Sequence, residues 1–248
     1  MTRSTGGAVT GTRRPSVPTL RIERQMLRSG LSAVAGCDEV GRGALSGPAT
    51  VAMVVVTADS KPAPFGVRDS KLLTPQARQA LVPRIRRWAA ASGIGHASPA
   101  EIDQLGIIAA LRLAGHRALA GLSVVPDTVL LDGNHDYLRF PDPEQLEGAV
   151  PAPRVLSEVP PVVTMIRADL RCAAVAAASV LAKTARDAIM TELAADHPHY
   201  GWDENKGYAS SHHVAALRTH GPSEQHRRSW RLPGCDADPA DAEVPARP

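Results

Sequence analysis

Four carboxylates stand where apolar segments of this chain stop. Asp38 and Glu39 sit in Ala-Gly-Cys-Asp-Glu-Val-Gly-Arg-Gly (35–43), Asp132 ends Thr-Val-Leu-Leu-Asp-Gly (128–133), and Asp169 ends Val-Val-Thr-Met-Ile-Arg-Ala-Asp (162–169). Each acid closes a β-like stretch, where an unpaired carboxylate is costly to bury. Strand ends converging from separate parts of a chain build one acidic pocket. Oxygen ligands of this kind suit hard cations such as Mg²⁺ or Mn²⁺. Such a pocket suits in-line phosphoryl chemistry assisted by two metal ions. Adjacent strand residues point to opposite faces. Asp38 and Glu39 therefore serve one site only if their strand ends or bulges there, and Gly41 and Gly43 allow either.

Other residues have types that hold phosphate. In Gly41-Arg42-Gly43, glycines let the backbone approach a ligand and clustered N–H groups can grip its oxygens; alone, such a segment is more often only a turn. Asp69-Ser70-Lys71 sets a hydroxyl and an ammonium beside a helix start, a reasonable phosphate contact, with a polar loop as the plain alternative. Ser179, Lys183 and Asp187 recur at i, i+4, i+8 and share one helical face, with Arg186 beside them. The plain alternative there is a solvated Lys183–Asp187 pair. Asn205-Lys206-Gly207-Tyr208 carries one of only three tyrosines. A Tyr beside Lys and Gly can stack on a sugar or base, or simply fill a core. His212, His213, His220 and His226 have no zinc-site spacing and read as surface or phosphate-proximal residues.

The elements that must position these groups follow from periodicity. Strands are expected at about 33–40 and 49–57, with a short third at 93–97. Thr74-Pro75 starts a helix with Thr as N-cap and Pro at N1, and Pro83 should kink or split it. Ser98-Pro99-Ala100-Glu101 is a capping box, and Ile102, Leu105, Ala109 and Leu113 form one face of the helix it opens. Strands ending at Asp132 and Asp169 come next, then an Ala-rich helix over about 171–194 and a last helix over about 209–220. Early strands followed by alternating helix and strand predict an α/β fold with a mixed sheet flanked by helices.

Composition sets the frame. The chain has 248 residues, 44% hydrophobic and 21% charged, with a net charge of +3, which reads as soluble and globular. Charge that mild does not by itself indicate a nucleic-acid partner. Cys37, Cys172 and Cys235 give no disulfide framework and fit a reducing compartment. No apolar run approaches the roughly 20 residues of a membrane helix, and the N-terminus lacks a secretory apolar core. A cytoplasmic protein without a membrane partner is expected. Residues 1–18 read as a disordered basic arm, 19–233 as one catalytic body with C-terminal helices, and 234–248 as a disordered acidic tail.

In order and flanking residues, six segments closely resemble the ribonuclease HII family. They are Gly-Cys-Asp-Glu-Val-Gly-Arg-Gly-Ala-Leu-Ser-Gly-Pro, Asp-Ser-Lys-Leu-Leu, Ser-Pro-Ala-Glu-Ile-Asp, Leu-Asp-Gly-Asn, Ala-Ala-Ser-Val-Leu-Ala-Lys-Thr-Ala-Arg-Asp, and Asn-Lys-Gly-Tyr…His…Gly-Pro-Ser…His-Arg-Arg-Ser-Trp. The resemblance spans about residues 33–230. It implies a ribonuclease H-like fold, with three antiparallel strands in a mixed sheet and a helical C-terminal region. It implies an endonuclease that cuts at ribonucleotides within duplex DNA and in RNA–DNA hybrids. It makes Asp38, Glu39, Asp132 and Asp169 the catalytic, metal-binding acids, holding Mg²⁺ or Mn²⁺, with two ions in the catalytic complex. Gly41, Arg42, Gly43 and Tyr208 would read the ribose-to-deoxyribose junction, and Lys71, Ser179 and Lys183 would hold backbone phosphates. A monomer is expected. Where the family usually has Lys-Gly-Asp, this chain has Arg167-Ala168-Asp169, which questions any backbone shape at 168 that needs Gly. The sister HIII type usually carries an extra N-terminal domain, for which the roughly 32 residues before the first motif are too few.

Two other classes compete. A binding module without catalysis would keep the basic residues but would not need four acids that repel phosphate when no metal is bound. A metal-dependent phosphatase for small substrates would not need Tyr208 beside Lys206.

Overall fold

The computed structural model describes residues 17–141 and 152–235. The basic arm expected over 1–18 and the acidic tail over 234–248 lie outside the described residues, except at 17–18 and 234–235. The sheet has five strands: β1 (Ala33–Val40), β2 (Ala49–Thr57), β3 (Ala91–Ala97), β4 (Thr128–Asp132) and β5 (Val162–Met165), in the order β3-β2-β1-β4-β5. β1, β2 and β3 pair antiparallel, while β4 runs parallel to β1 and β5 parallel to β4. This is the expected mixed sheet. The third strand begins two residues earlier than its apolar pattern suggested, at Ala91.

Seven helices complete the described residues: α1 (Arg21–Arg28), α2 (Pro75–Trp88), α3 (Pro99–Leu105), α4 (Ile107–Ala120), α5 (Ala173–Asp196), α6 (Trp202–Asn205) and α7 (Ser211–His220). Strand alternation sorts the core. Ala35, Cys37, Val51 and Met53 face the layer that holds Leu111 and Ala114 of α4. Ala52 and Val54 face Ala177 and Val180 of α5, and Val34 faces Ala174. α5 can lie close on the sheet because Ala173–Ala178 carry small side chains, all buried. Where it crosses β1, a side chain at Gly36 would run into the backbone of Ala174 and Val175. That close crossing brings Ser179, one turn further along, to the end of β1.

α5 has no capping side chain of its own, since Cys172 at its N-cap makes no such bond. Glu23 of α1 supplies the acceptor. It is fully buried, and its Oε1 receives the Ala174 N–H at 2.8 Å. Burial holds its carboxyl above the usual range, against the pull of the Ala174 and Ala173 N–H groups. Glu23→Ala leaves the Ala174 N–H unpaired, which costs about 1–3 kcal/mol. Glu23→Gln keeps an acceptor and should lose less. Urea unfolding checks the order, and equal losses would dismiss the capping role.

Three expectations need correction. Of the kink or split expected at Pro83, the split does not occur: α2 runs unbroken through it. Pro83 and Gln79, whose carbonyl would have bonded its missing N–H, lie on the exposed side. Water can satisfy that carbonyl while buried Leu81 and Ile85 hold the other face. The single helix expected from Ile102 to Leu113 is two, α3 and α4, divided at Gly106 with φ 76°; only glycine adopts such a backbone freely. The strand expected to end at Asp169 ends at Met165, and Asp169 lies in a short 3₁₀ turn, Ala168–Leu170.

Candidate active site

The acids gather where the parallel strands end, the usual place for a site in an open α/β sheet. β1 does not bulge: its register with β2 is unbroken from Ala33↔Thr57 to Val40↔Thr50. Its pairing with β4 stops at Cys37↔Leu131, so Asp38, Glu39 and Asp132 project just beyond the shared ladder. Asp38 takes the face toward α5, beside Ser179, whose hydroxyl donates to that of Ser70. Glu39 takes the opposite face, 3.4 Å from the Tyr137 hydroxyl, which donates to it. Asp132 accepts the Ala168 N–H at 2.7 Å, which ties the end of β4 to the turn that carries Asp169.

Ala168 is compatible with this turn. The left-handed residue is Arg167, at φ 55°, and Ala168 is not in that region. The family glycine is therefore not required here for backbone shape.

The four acids repel one another. Burial, then Glu39 and Asp132, hold the Asp38 carboxyl well above the usual range. Burial also raises Glu39, with Asp132 adding to it and Arg42 opposing. Asp169 is pushed up to about 6 by burial, then by Asp132 and Asp69. For Lys71, burial pulls its ammonium down, but Asp69, Asp38, Asp169 and Asp132 outweigh this and hold it above its ordinary value. Among the described residues no three His, Cys, Asp or Glu side chains form a ready-made metal cage. A hard divalent cation is the partner this oxygen donor set fits.

The residues expected to hold substrate surround the acids. Arg42 lies 3.9 Å from Glu39, joining the Gly-Arg-Gly turn to the carboxylates. Gly41, at φ 83°, points its N–H at the Tyr208 hydroxyl, 3.2 Å away. Gly43 has no positive φ and open space around it. Ser70 and Ser179 meet through their hydroxyls at 2.8 Å. Lys71 follows in a 3₁₀ turn capped by the Asp69 side chain. Arg78 secures that turn by donating to the carbonyls of Ser70 and Leu73. Lys183 does not point at the acids: it pairs with Asp187 at 2.7 Å, and Asp187 also meets Arg78. That pair is mostly buried rather than solvated. Tyr208 remains 37% exposed, so it is not a core residue.

Three supporting features escaped the sequence reading. Tyr137 was detectable as one of three tyrosines, five residues after Asp132. Buried Arg186 and Arg227 hold the loops from beneath. Arg186 donates to the carbonyls of Pro48, Lys206 and Ser46 at 2.8–2.9 Å, and Arg227 donates to those of Arg42, Gly41 and Gly47. His213 and His226, expected at the surface, are buried beside Trp202 and Tyr200. Apolar neighbours such as Ala216 and Leu217 carry that part of the fold inward, and the imidazoles satisfy each other's hydrogen bonds there.

The sequence model of ribonuclease HII matches residues 35–232. The ribonuclease HII of Streptomyces coelicolor is 47% identical over 214 residues, 86% of this chain and 83% of that one. That of Paracoccus denitrificans is 43% identical over 216 residues, 86% and 91% of the two chains. The crystal structure of ribonuclease H2 from Pyrococcus horikoshii superposes with a TM-score of 0.60 at 26% identity, over 81% of this chain and 94% of that one. A Bst-RNase HIII solved in complex with Mn²⁺ shares the fold, with a TM-score of 0.58 at 20% identity, covering 91% and 74%. The matched stretch includes all four acids, the Gly-Arg-Gly turn and Tyr208; the chain belongs to the ribonuclease HII family and is a ribonuclease H, an endoribonuclease that acts on RNA–DNA hybrids.

Proposed function

We propose that this enzyme is a metal-dependent endonuclease that cuts the phosphodiester 5′ of a ribonucleotide, embedded in duplex DNA or within a hybrid, leaving 3′-hydroxyl and 5′-phosphate ends. Its role would be the removal of ribonucleotides from DNA. The observation that carries this reading is the junction of two features: mutually repelling carboxylates at the strand ends, and a glycine turn tied to them through Arg42 and to Tyr208 through Gly41. Asp38, Glu39, Asp132 and Asp169 would hold Mg²⁺ or Mn²⁺, two ions in the catalytic complex. When bound, such ions make hydroxide available near neutral pH and stabilise the leaving 3′-oxygen.

The chain's own groups do the rest. Tyr137 orients Glu39 on one face of β1, and Ser179, held by Ser70, stands beside Asp38 on the other. Lys71 and Ser179 stand beside the acids as phosphate contacts, and Lys183 lies one helical turn beyond. The Gly41–Gly43 backbone would meet the ribose 2′-hydroxyl, the group by which a protein tells RNA from DNA at one site. Tyr208 would pack its ring on the deoxyribose on the 3′ side, where a 2′-hydroxyl would crowd it. Arg186 covers one face of that ring, its guanidinium carbon 5.4 Å from the centroid.

Cleavage of a duplex with one embedded ribonucleotide, with and without Mg²⁺, tests the reading. A binding module would bind without cutting, and a phosphatase would act on small phosphoesters but leave the duplex whole. Tyr208→Ala removes a stacking contact worth on the order of 1–3 kcal/mol by analogy with base stacking. It should slow cutting at a single ribonucleotide more than cutting within a continuous hybrid. Both substrates are compared at one salt concentration, because phosphate contacts make every rate salt-dependent. Equal losses would return Tyr208 to plain packing.

A further inference from the structure

Behind Tyr208 lies a chain of hydrogen bonds whose two ends leave it no freedom. At one end the Ser223 backbone N–H, which can only donate, points at His226 Nδ1 from 3.0 Å. The Ser223 hydroxyl, also 3.0 Å from Nδ1, already accepts the Gln225 N–H and can turn its own proton to the same nitrogen, so Nδ1 accepts and a neutral His226 carries its proton on Nε2. That proton faces His213 Nε2, 3.0 Å away. The Trp202 indole N–H also points there, from 3.3 Å, so His213 Nε2 accepts and its proton sits on Nδ1. His213 Nδ1 lies 3.0 Å from the Tyr208 carbonyl oxygen, which can only accept. Donor-only and acceptor-only backbone groups thus fix both tautomers. His213 and His226 are 0% and 1% exposed, so bulk solvent does not reach either ring.

The far end of this chain meets a turn of unusual shape. Lys206 and Gly207 both have positive φ, 50° and 82°. Three consecutive carbonyls of that turn are held from outside it: Lys206 by Arg186, Gly207 by the N–H groups of Leu45 and Ser46, and Tyr208 by His213. His213 holds the last of them, on the residue whose hydroxyl meets Gly41.

We propose that the neutral pair His226–His213 is a positioning relay, which fixes the Tyr208 backbone and through it the Tyr208–Gly41 contact that sets the preference for a ribose-to-deoxyribose junction. The proposal rests on the junction role of Tyr208 given above. The pair works only while neutral, because a second proton on either ring sets one N–H against another. The surroundings keep it so. Burial lowers both imidazoles, that of His226 to about 4, with His213, His197 and Arg228 also opposing protonation of His226 and His212 opposing that of His213. The nearby carboxylate of Glu224 is engaged by His197 at 3.1 Å.

Long-range proton–nitrogen NMR spectra of the ¹⁵N-histidine-labelled full chain read the relay without reference to activity. The expected result is the Nδ1–H form for His213 and the Nε2–H form for His226, both unchanged from about pH 8 to about pH 5.5. The opposite tautomer at either residue, or titration of either in that range, overturns the relay. A second arm uses substrate preference. His213→Asn keeps a donor near the Nδ1 position, whereas His213→Leu removes it. The ratio of kcat/KM on a single embedded ribonucleotide to that on a continuous hybrid should hold in His213→Asn and fall about three- to tenfold in His213→Leu, the scale of one lost hydrogen bond. Like behaviour of the two variants overturns the positioning role. A changed ratio in Tyr208→Ala with none in His213→Leu sinks the relay alone, and an unchanged ratio in Tyr208→Ala sinks the reading of Tyr208.

Discussion

Asp38→Asn should abolish cleavage and yet raise the melting temperature of the metal-free protein. Both halves follow from where Asp38 sits. It is 8% exposed, at the end of β1, with Glu39 and Asp132 close enough to repel it. Asn has nearly the same shape and can still accept the Glu39 N–H that Asp38 receives at 2.9 Å. The substitution therefore removes charge and little else. Without that charge the site loses a ligand for the cations that stabilise the reacting phosphate, a loss on the order of 10³-fold in rate or more. Without metal, the same charge is a burden to the fold, because burial and like charges both oppose it.

The sign with pH is fixed. The folded-state pKa of Asp38 is raised well above 3.8, so the group's stabilising contribution is present below that value and is lost as pH rises through the folded pKa. The stability gap between variant and wild type, measured without metal, should be small in acid and widen as pH rises above about 4. Adding Mg²⁺ or Mn²⁺ should stabilise the wild type and reverse or close the gap. Single-turnover cleavage and thermal unfolding with and without metal check the two halves. Near wild-type turnover of Asp38→Asn in Mg²⁺ would remove it from the site.

The elements that local sequence specifies were legible. β1 and β2 have the expected bounds, because apolar, partly β-branched runs with no helical period have few other options. The Thr74 cap and the Ser98–Glu101 capping box form as their spacing dictates. The candidate acids stood out because a carboxylate at or just after the end of an apolar run is costly to bury unpaired. What stayed hidden depends on distant partners. Glu23 caps a helix that begins about 150 residues later, and nothing in its own surroundings signals it. Pro83 and Gly106 needed knowledge of which helix face meets solvent. His213 and His226 looked like surface residues because each gains its partner only when α7 folds back beside the segment after it. Arg186 was visible only as a neighbour of the Ser179–Lys183–Asp187 stripe, and its three carbonyl partners lie on two other loops.

Those partners make Arg186 the second residue whose loss should be severe. Its guanidinium is fully buried, and burial lowers its pKa while Tyr208 and Asp187 pull it up. Its planar fork reaches Pro48, Ser46 and Lys206 at once, and it lies under the Tyr208 ring. Gly41 leaves the room for it, since a side chain there would strike Nε. Arg186→Met would strand three carbonyls at roughly 1–3 kcal/mol each. Partial relaxation of the loops reduces the sum, and a net loss of about 3–5 kcal/mol is expected. Arg186→Lys should recover little, because an ammonium is a single point of donation and cannot reproduce the fork. The acids stand on the sheet and the turn beyond it, so stabilisation by added Mg²⁺ should survive in the variants that fold. Cleavage at an embedded ribonucleotide should instead fall further than in Tyr208→Ala, because both the glycine turn and the tyrosine turn are released together. Urea unfolding, metal-dependent thermal shift and cleavage of the two substrates separate these effects. If Arg186→Lys keeps wild-type stability and wild-type substrate preference, the two loops are held by something other than this guanidinium.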